Sequence, residues 1–176
     1  LKQGLAQGPL EGGLQLRSGR FAIVPPMTLE RYMEVRLMRL ELEGLAAEIA
    51  AQKATPADIA NLRAIHPEYA AADDNEQPDE AFRLNRDFHF AVYRISGMEM
   101  LVSHIESLWT SMGPMLTVFF IRGKRTYFGA QAHQRVIERL EAGDGPGARD
   151  AIRRDIIDGG VDFIRFLKEN VEFSIE

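Results

Sequence analysis

TLERYMEVRLMRLELEGLAAEIAA, Thr28 to Ala51, is the stretch that decides the fold class. Thr28 suits a helix N-cap, where a hydroxyl accepts from a backbone N–H. Glu30 follows in the first turn, where a carboxylate meets the positive end of the helix dipole. Leu29, Met33, Leu37, Leu40, Leu45 and Ile49 then recur at spacings of three to five residues. That period puts them on one side of a helix and predicts an apolar face turned to a core.

The helical period continues outward from there. Thr55-Pro56-Ala57-Asp58 combines an N-cap, a proline at the first helical position and a carboxylate three residues after the cap. A second helix is expected to start there and to fade near His66–Pro67, before the polar loop ADDNEQPDE. A third is predicted over about Asp79 to Ser96, closed by Gly97. A fourth carries Leu101, Ile105, Leu108, Met112, Met115 and Phe119, with Pro114 as a candidate kink. A fifth reaches Ala142 before Gly143, and a last runs from near Pro146 toward Asn170, with Gly159–Gly160 as a weak point. About six helices with short connections predict an all-α fold, an antiparallel helical bundle.

The region before it, residues 1–26, reads differently. Leu14, Leu16, Phe21 and Ile23 alternate with polar residues on either side of Ser18–Gly19, and Pro25–Pro26 follows. This is the pattern of a short β-hairpin stopped by proline. Two short strands are marginal alone, so the hairpin is expected to belong to something larger. The boundary therefore falls between 1–26 and a helical domain over 27–176.

Composition narrows the function classes. A chain of 176 residues, 45% hydrophobic and 27% charged, has the material for one domain, or one domain and a short appendage. The lack of cysteine excludes disulfides and thiolate metal sites and fits a cytoplasmic location. No apolar run approaches the ~18–20 residues of a membrane helix, so no membrane partner is expected. LKQGLAQGPL lacks the basic start and apolar stretch of a signal peptide, and the absent initiator methionine suggests a fragment of a longer chain. A net charge of −5 argues against nucleic-acid binding by this piece alone.

The chemistry rests on few residues. There are four histidines, His66, His89, His104 and His133, with no HExxH motif and no glycine-rich phosphate loop. Asn85 and His89 are four apart, so they share one helix face, whereas Asp87 points elsewhere, to solvent or an arginine. That spacing alone suits a hydrogen-bonded core pair as well as a ligand pair. His133 on the fifth helix and Asp155 on the sixth would complete two imidazoles, an amide oxygen and a carboxylate if all turned inward. Such a set suits a divalent metal, and bundle cores build metal sites from facing helices. His66 reads as a surface residue at a helix end, and Trp109, Met112 and Met115 as core or cavity wall.

RLMRLELEGLAAEIAA (Arg36 to Ala51), LNRDFHFAVYRISG, AHQRVIERLEAGD and the following AIRRD together resemble, in order and spacing, the C-terminal effector-binding (FCD) domain of GntR-family transcriptional regulators of the FadR branch. The likeness covers roughly Thr28 to Lys168. LQLRSGRFAIVPP resembles the wing of the winged helix-turn-helix that precedes such domains. It implies that 1–26 is a remnant of a DNA-binding domain, with Leu1 to Leu10 the tail of its recognition helix and Arg17 and Arg20 near the wing tip as low-ranking DNA contacts.

The resemblance implies a ligand-responsive regulator, a repressor more often than an activator, and not an enzyme. Family members hold Zn, Ni or Mn through one Asp or Asn and three His, which implies Asn85, His89 and His133 as ligands here. Asp155 departs from the family by standing where histidine is usual. Either the carboxylate has moved from the third helix to the sixth and the metal persists, or the site is degenerate and Asp155 pairs with an arginine or a ligand amine. The effector implied is a small carboxylate. Arg39 would meet it on the cavity wall, or else pair with Glu43 on a solvated face; Tyr93, one turn after His89, would line the same pocket. The full-length protein is expected to bind operator DNA as a homodimer. Two other readings fit the same residues: a helical metal-dependent hydrolase and a metal-free helical dimerisation module.

Overall fold

Thr28 opens the helical part of the chain. Its hydroxyl accepts a hydrogen bond from the Arg31 N–H at 3.2 Å, and α1 (Leu29–Lys53) follows. The computed structural model describes residues 15–17, 21–23, 27–123, 126–127 and 129–170. Among these residues α1 is succeeded by α2 (Pro56–Asp74), α3 (Pro78–Ile95), α4 (Glu99–Arg122), α5 (Gly129–Glu141) and α6 (Gly145–Glu169). The fold is all-α, as the periodicity predicts. Ahead of it, β1 (Gln15–Arg17) and β2 (Phe21–Ile23) pair antiparallel with Leu16 opposite Ala22. The Ser18–Gly19 turn, Arg20, Pro25–Pro26 and the segment from Leu1 to Leu10 lie outside the described residues.

Local signals account for the helix ends. Thr55 and Asp58 form a reciprocal capping box: the Thr55 hydroxyl accepts from the Asp58 N–H, and the Asp58 carboxylate accepts from the Thr55 N–H at 2.9 Å. A cap of this kind stabilises a helix by about 1 kcal/mol. Gly97 and Gly143 follow α3 and α5 with φ of 67° and 65°, the left-handed conformation that glycine adopts without Cβ strain. Asp144 caps α6 by accepting from the Gly147 N–H at 2.9 Å.

Helix α1 is central, packed against α3, α4, α5 and α6, while α2 packs on α3 and α5. This placement corrects the expected face of α1. Met33, Leu37 and Leu45 are exposed, Leu37 by 64%. The buried side instead carries Tyr32, Val35, Arg39, Glu43, Ala46, Ala47 and Ala50. A helix enclosed by several others needs small side chains where backbones approach closely, so alanines rather than leucines occupy its contact surface.

Two further expectations are corrected. Helix α2 does not fade at His66–Pro67 but continues to Asp74, because Tyr69 and Ala72 beyond the proline are buried and anchor the last turns. Gly159–Gly160 does not weaken α6, which is continuous. A Cβ at Gly160 would lie 2.7 Å from the Tyr32 hydroxyl, so glycine there lets α6 come close to α1.

Candidate metal centre

Asn85, His89 and Tyr93 follow one another at four-residue intervals along α3, and His89 and Tyr93 are buried. Helix α5 buries the stripe Ala132, His133, Val136, Ile137 and Leu140, which carries His133 inward. On α6, Asp155 is buried between Ile152 and Ile156. These elements bring His89, His133 and Asp155 together, with one ligand atom from each within 4.8 Å of the others.

The contacts of the three differ. His89 Nε2 lies 3.0 Å from Asp155 Oδ2, and its Nδ1 lies 3.0 Å from the Tyr93 hydroxyl. The other Asp155 oxygen accepts from the Tyr127 hydroxyl at 2.6 Å. Burial alone would raise the Asp155 carboxyl, but hydrogen bonding and charge from His89, with His133 and Tyr127, hold it at about 2. His133 stacks on Phe88 with ring centroids 3.9 Å apart. Burial drives its imidazole down to about 3, so it is neutral at neutral pH. Both of its ring nitrogens are buried with no hydrogen-bond partner among the described residues.

Behind His89 stands Glu43, fully buried on α1. It accepts from Arg39 Nε at 2.6 Å, from Trp109 Nε1 at 3.0 Å and from the Tyr93 hydroxyl. The guanidinium of Arg39 lies over the Trp109 ring, 4.7 Å from its centroid. A cavity of about 100 Å³ opens beside this network, lined by Arg39, Asn85, His89, Trp109, Tyr127, Asp155 and a wall of Phe and Tyr rings.

The structure thus gathers His89, His133 and Asp155 and sets Asn85, half-buried, in the wall of the adjoining cavity. Among the described residues no arginine pairs with Asp155; its partners are His89 and Tyr127. Arg39 lines the cavity and pairs with Glu43, and the pair is buried rather than on the solvated face expected of it. Tyr93 is corrected from pocket wall to support: its hydroxyl bridges His89 and Glu43, and it is not among the cavity-lining residues. Asp87 faces away and pairs with Arg83 at 2.7 Å.

His104 is exposed, with Nδ1 2.7 Å from the Met100 carbonyl. His66 is half-buried rather than on the surface, its ring 6.3 Å from that of His133. Arg17 ends β1, and Arg20 lies outside the described residues. Sequence reasoning missed Glu43 and Tyr127 as parts of the site. Glu43 reads as the surface partner of Arg39, and Tyr127 lies in a connection with no helical period.

The donor set fits a divalent ion. Two imidazoles and a carboxylate are common ligands for metals of borderline softness, and neutral His133 offers a ring-nitrogen lone pair that no group among the described residues takes up. His89, His133 and Asp155 could therefore hold a metal.

The FCD domain family matches this chain over residues 34–158. The chain belongs to that family. This FCD domain is 28% identical over 131 residues to the HTH-type transcriptional regulator McbR of Escherichia coli (strain K12). The match takes in 73% of the chain but 59% of McbR, so the chain spans less than two thirds of that relative's length. Among solved structures, E. coli McbR/YncC superposes with a TM-score of 0.78 at 24% identity, over 89% of this chain and 77% of the other. Streptococcus agalactiae GntR superposes with a TM-score of 0.61 at 18% identity, over 84% and 73%. At these identities the two structures establish a shared fold. No helix among the described residues is long and apolar enough to cross a membrane.

Proposed function

We propose that this FCD domain is the effector-sensing part of a GntR-type transcriptional regulator, and that it binds a small organic acid through a divalent metal. His89, His133 and Asp155 would hold the ion, with Asn85 as a further oxygen donor from the cavity wall. The observation that carries the reading is the pair of buried, unpartnered nitrogens on His133 beside the His89–Asp155 contact. A buried polar group without a partner costs about 1–3 kcal/mol, and a metal ion would take up that lone pair. With two neutral imidazoles and an amide, the single carboxylate would leave a divalent ion with net positive charge in the site. When bound, the metal supplies a fixed Lewis acid that receives a carboxylate or hydroxyl oxygen.

Relative to a site of three histidines, the exchange of one imidazole for Asp155 weakens preference for nickel or zinc and makes manganese more competitive. The domain is read as a binding module and not an enzyme, because Asp87 is held on the outside by Arg83 and Asp162, in the cavity wall, is engaged by Thr126, the Tyr127 N–H and Arg165. Residues 1–26 are read as the remnant of a winged helix-turn-helix, with Arg17 and Arg20 near its wing tip. The whole protein would then act as a cytoplasmic homodimer on operator DNA, as a repressor. An effector shifts such a dimer only through different affinity for its two arrangements.

Metal analysis of protein purified without an affinity metal column tests the site. His89→Ala and His133→Ala should lose the metal, and Asp155→His should hold nickel or zinc more tightly. Unchanged metal content in Asp155→Ala would sink the relocated carboxylate.

A further inference from the structure

We infer that the effector is a monocarboxylate with a flat, apolar body, an aromatic acid rather than a dicarboxylate. This rests on the metal-assisted reading above and adds what the rest of the cavity selects.

Charge decides the number of acid groups. Among the described lining residues Arg39 is the one permanent cation, and its Nε and Nη2 are committed to Glu43 at 2.6 and 3.2 Å. Its Nη1 has only the Met112 sulfur, a weak acceptor, at 4.0 Å. Two carboxylates, Asp155 and Asp162, also line the space. Asp162 is satisfied by Thr126, by the Tyr127 N–H and by Arg165. One effector carboxylate finds the metal and the free edge of Arg39. A second would find no other cation among the described lining residues, Arg36 with its buried Nε lying outside that set, and would be desolvated near Asp155 or Asp162, an arrangement that buried charges avoid.

Shape decides the body. Phe82 and Phe120 have ring centroids 5.1 Å apart, Phe119 and Phe120 6.0 Å, and Phe119 and Phe163 5.3 Å. All four line the cavity, as does Trp109, 5.5 Å from the His89 ring. The four phenylalanines form a run of touching rings along the cavity, and Trp109 adds an aromatic surface beside His89. Such rings present both faces and edges, which favour another ring by offset or edge-to-face contact over a short polar chain.

The test is calorimetric titration of the manganese-loaded chain with phenylacetate, benzoate, acetate and succinate, with metal content measured before and after. Phenylacetate or benzoate should bind at least tenfold more tightly than acetate, and succinate no more tightly than acetate. Phe120→Leu should narrow the gap between phenylacetate and acetate while metal content stays the same. Tighter binding of succinate than of the aromatic acids, with the metal retained, overturns the inference and leaves the metal site standing. A wild-type chain that retains none of manganese, zinc and nickel overturns the reading beneath it and the inference with it.

Discussion

The Tyr93 hydroxyl lies 3.0 Å from His89 Nδ1, yet its single proton is already directed at Glu43. Burial, reinforced by the Glu43 charge, pushes the Tyr93 phenol well above its ordinary value, so that proton stays in place. The His89 contact must therefore be an Nδ1–H donating to the tyrosine oxygen, an assignment made from the hydrogen-bond network. Nε2 then points at Asp155 Oδ2, 3.0 Å away. A lone pair facing a carboxylate at that distance repels, so a proton or a cation between them is required. The relay from Glu43 through Tyr93 orients His89 for that role from one layer back.

Tyr93→Phe leaves every candidate ligand in place but removes the acceptor for the Nδ1–H. Loss of such an outer partner commonly weakens a metal site by about 10–100-fold. Competition with a chromophoric chelator should show a loss of that size for the bound manganese or zinc. Affinity equal to that of the unmodified chain would mean that Tyr93 does not orient His89.

Arg39 and Glu43 form a buried ion pair, the arginine 8% exposed and the glutamate 0%. Removing one member strands the other, and buried pairs broken this way lose about 3–5 kcal/mol. Arg39→Met should therefore lower urea-unfolding stability by an amount in that range. Arg39→Lys should recover only part of it, because an ammonium cannot make the two-pronged contact to Glu43. A loss below ~1 kcal/mol for Arg39→Met would match the cost of breaking a surface pair instead.

His133 gives the metal-free domain a pH dependence of definite sign. Burial lowers its folded value to about 3, from an ordinary value near 6.5, so between those limits the unfolded chain binds more protons. Stability then rises with pH across that window and falls as the solution is acidified below ~6.5. Asp155, held at about 2, adds a further loss below ~4 as the unfolded chain takes up its proton. Chelator-treated protein unfolded in urea at pH 7, 6 and 5 should lose stability steadily. His133→Phe should flatten that profile, and a wild-type profile already flat from pH 7 to 5 would show that His133 is solvated.

Much of the architecture was legible because its signals are local. The Thr55–Asp58 capping box, Gly97 and Gly143 act within a few residues of themselves, and the helices end where they stand. The Asn85–His89 spacing likewise defines a helix face without reference to the rest of the chain. What misled was the apolar stripe of α1. Periodicity shows that Met33, Leu37 and Leu45 share a side, but it contains nothing about which neighbours enclose the helix.

The sequence by itself determined the all-α class, the capped helix ends and the identities of the candidate ligands, because capping, backbone conformation and side-chain chemistry are properties of short segments. The end of α2 at Asp74 depended instead on the burial of Tyr69 and Ala72. Only the tertiary structure decided that His89, His133 and Asp155 meet, that Glu43 is buried behind them, and that aromatic rings from α3, α4 and α6 wall the cavity. Those relationships join residues on separate helices. They follow from how α1 is enclosed by its neighbours, through close packing and desolvation that no single segment encodes.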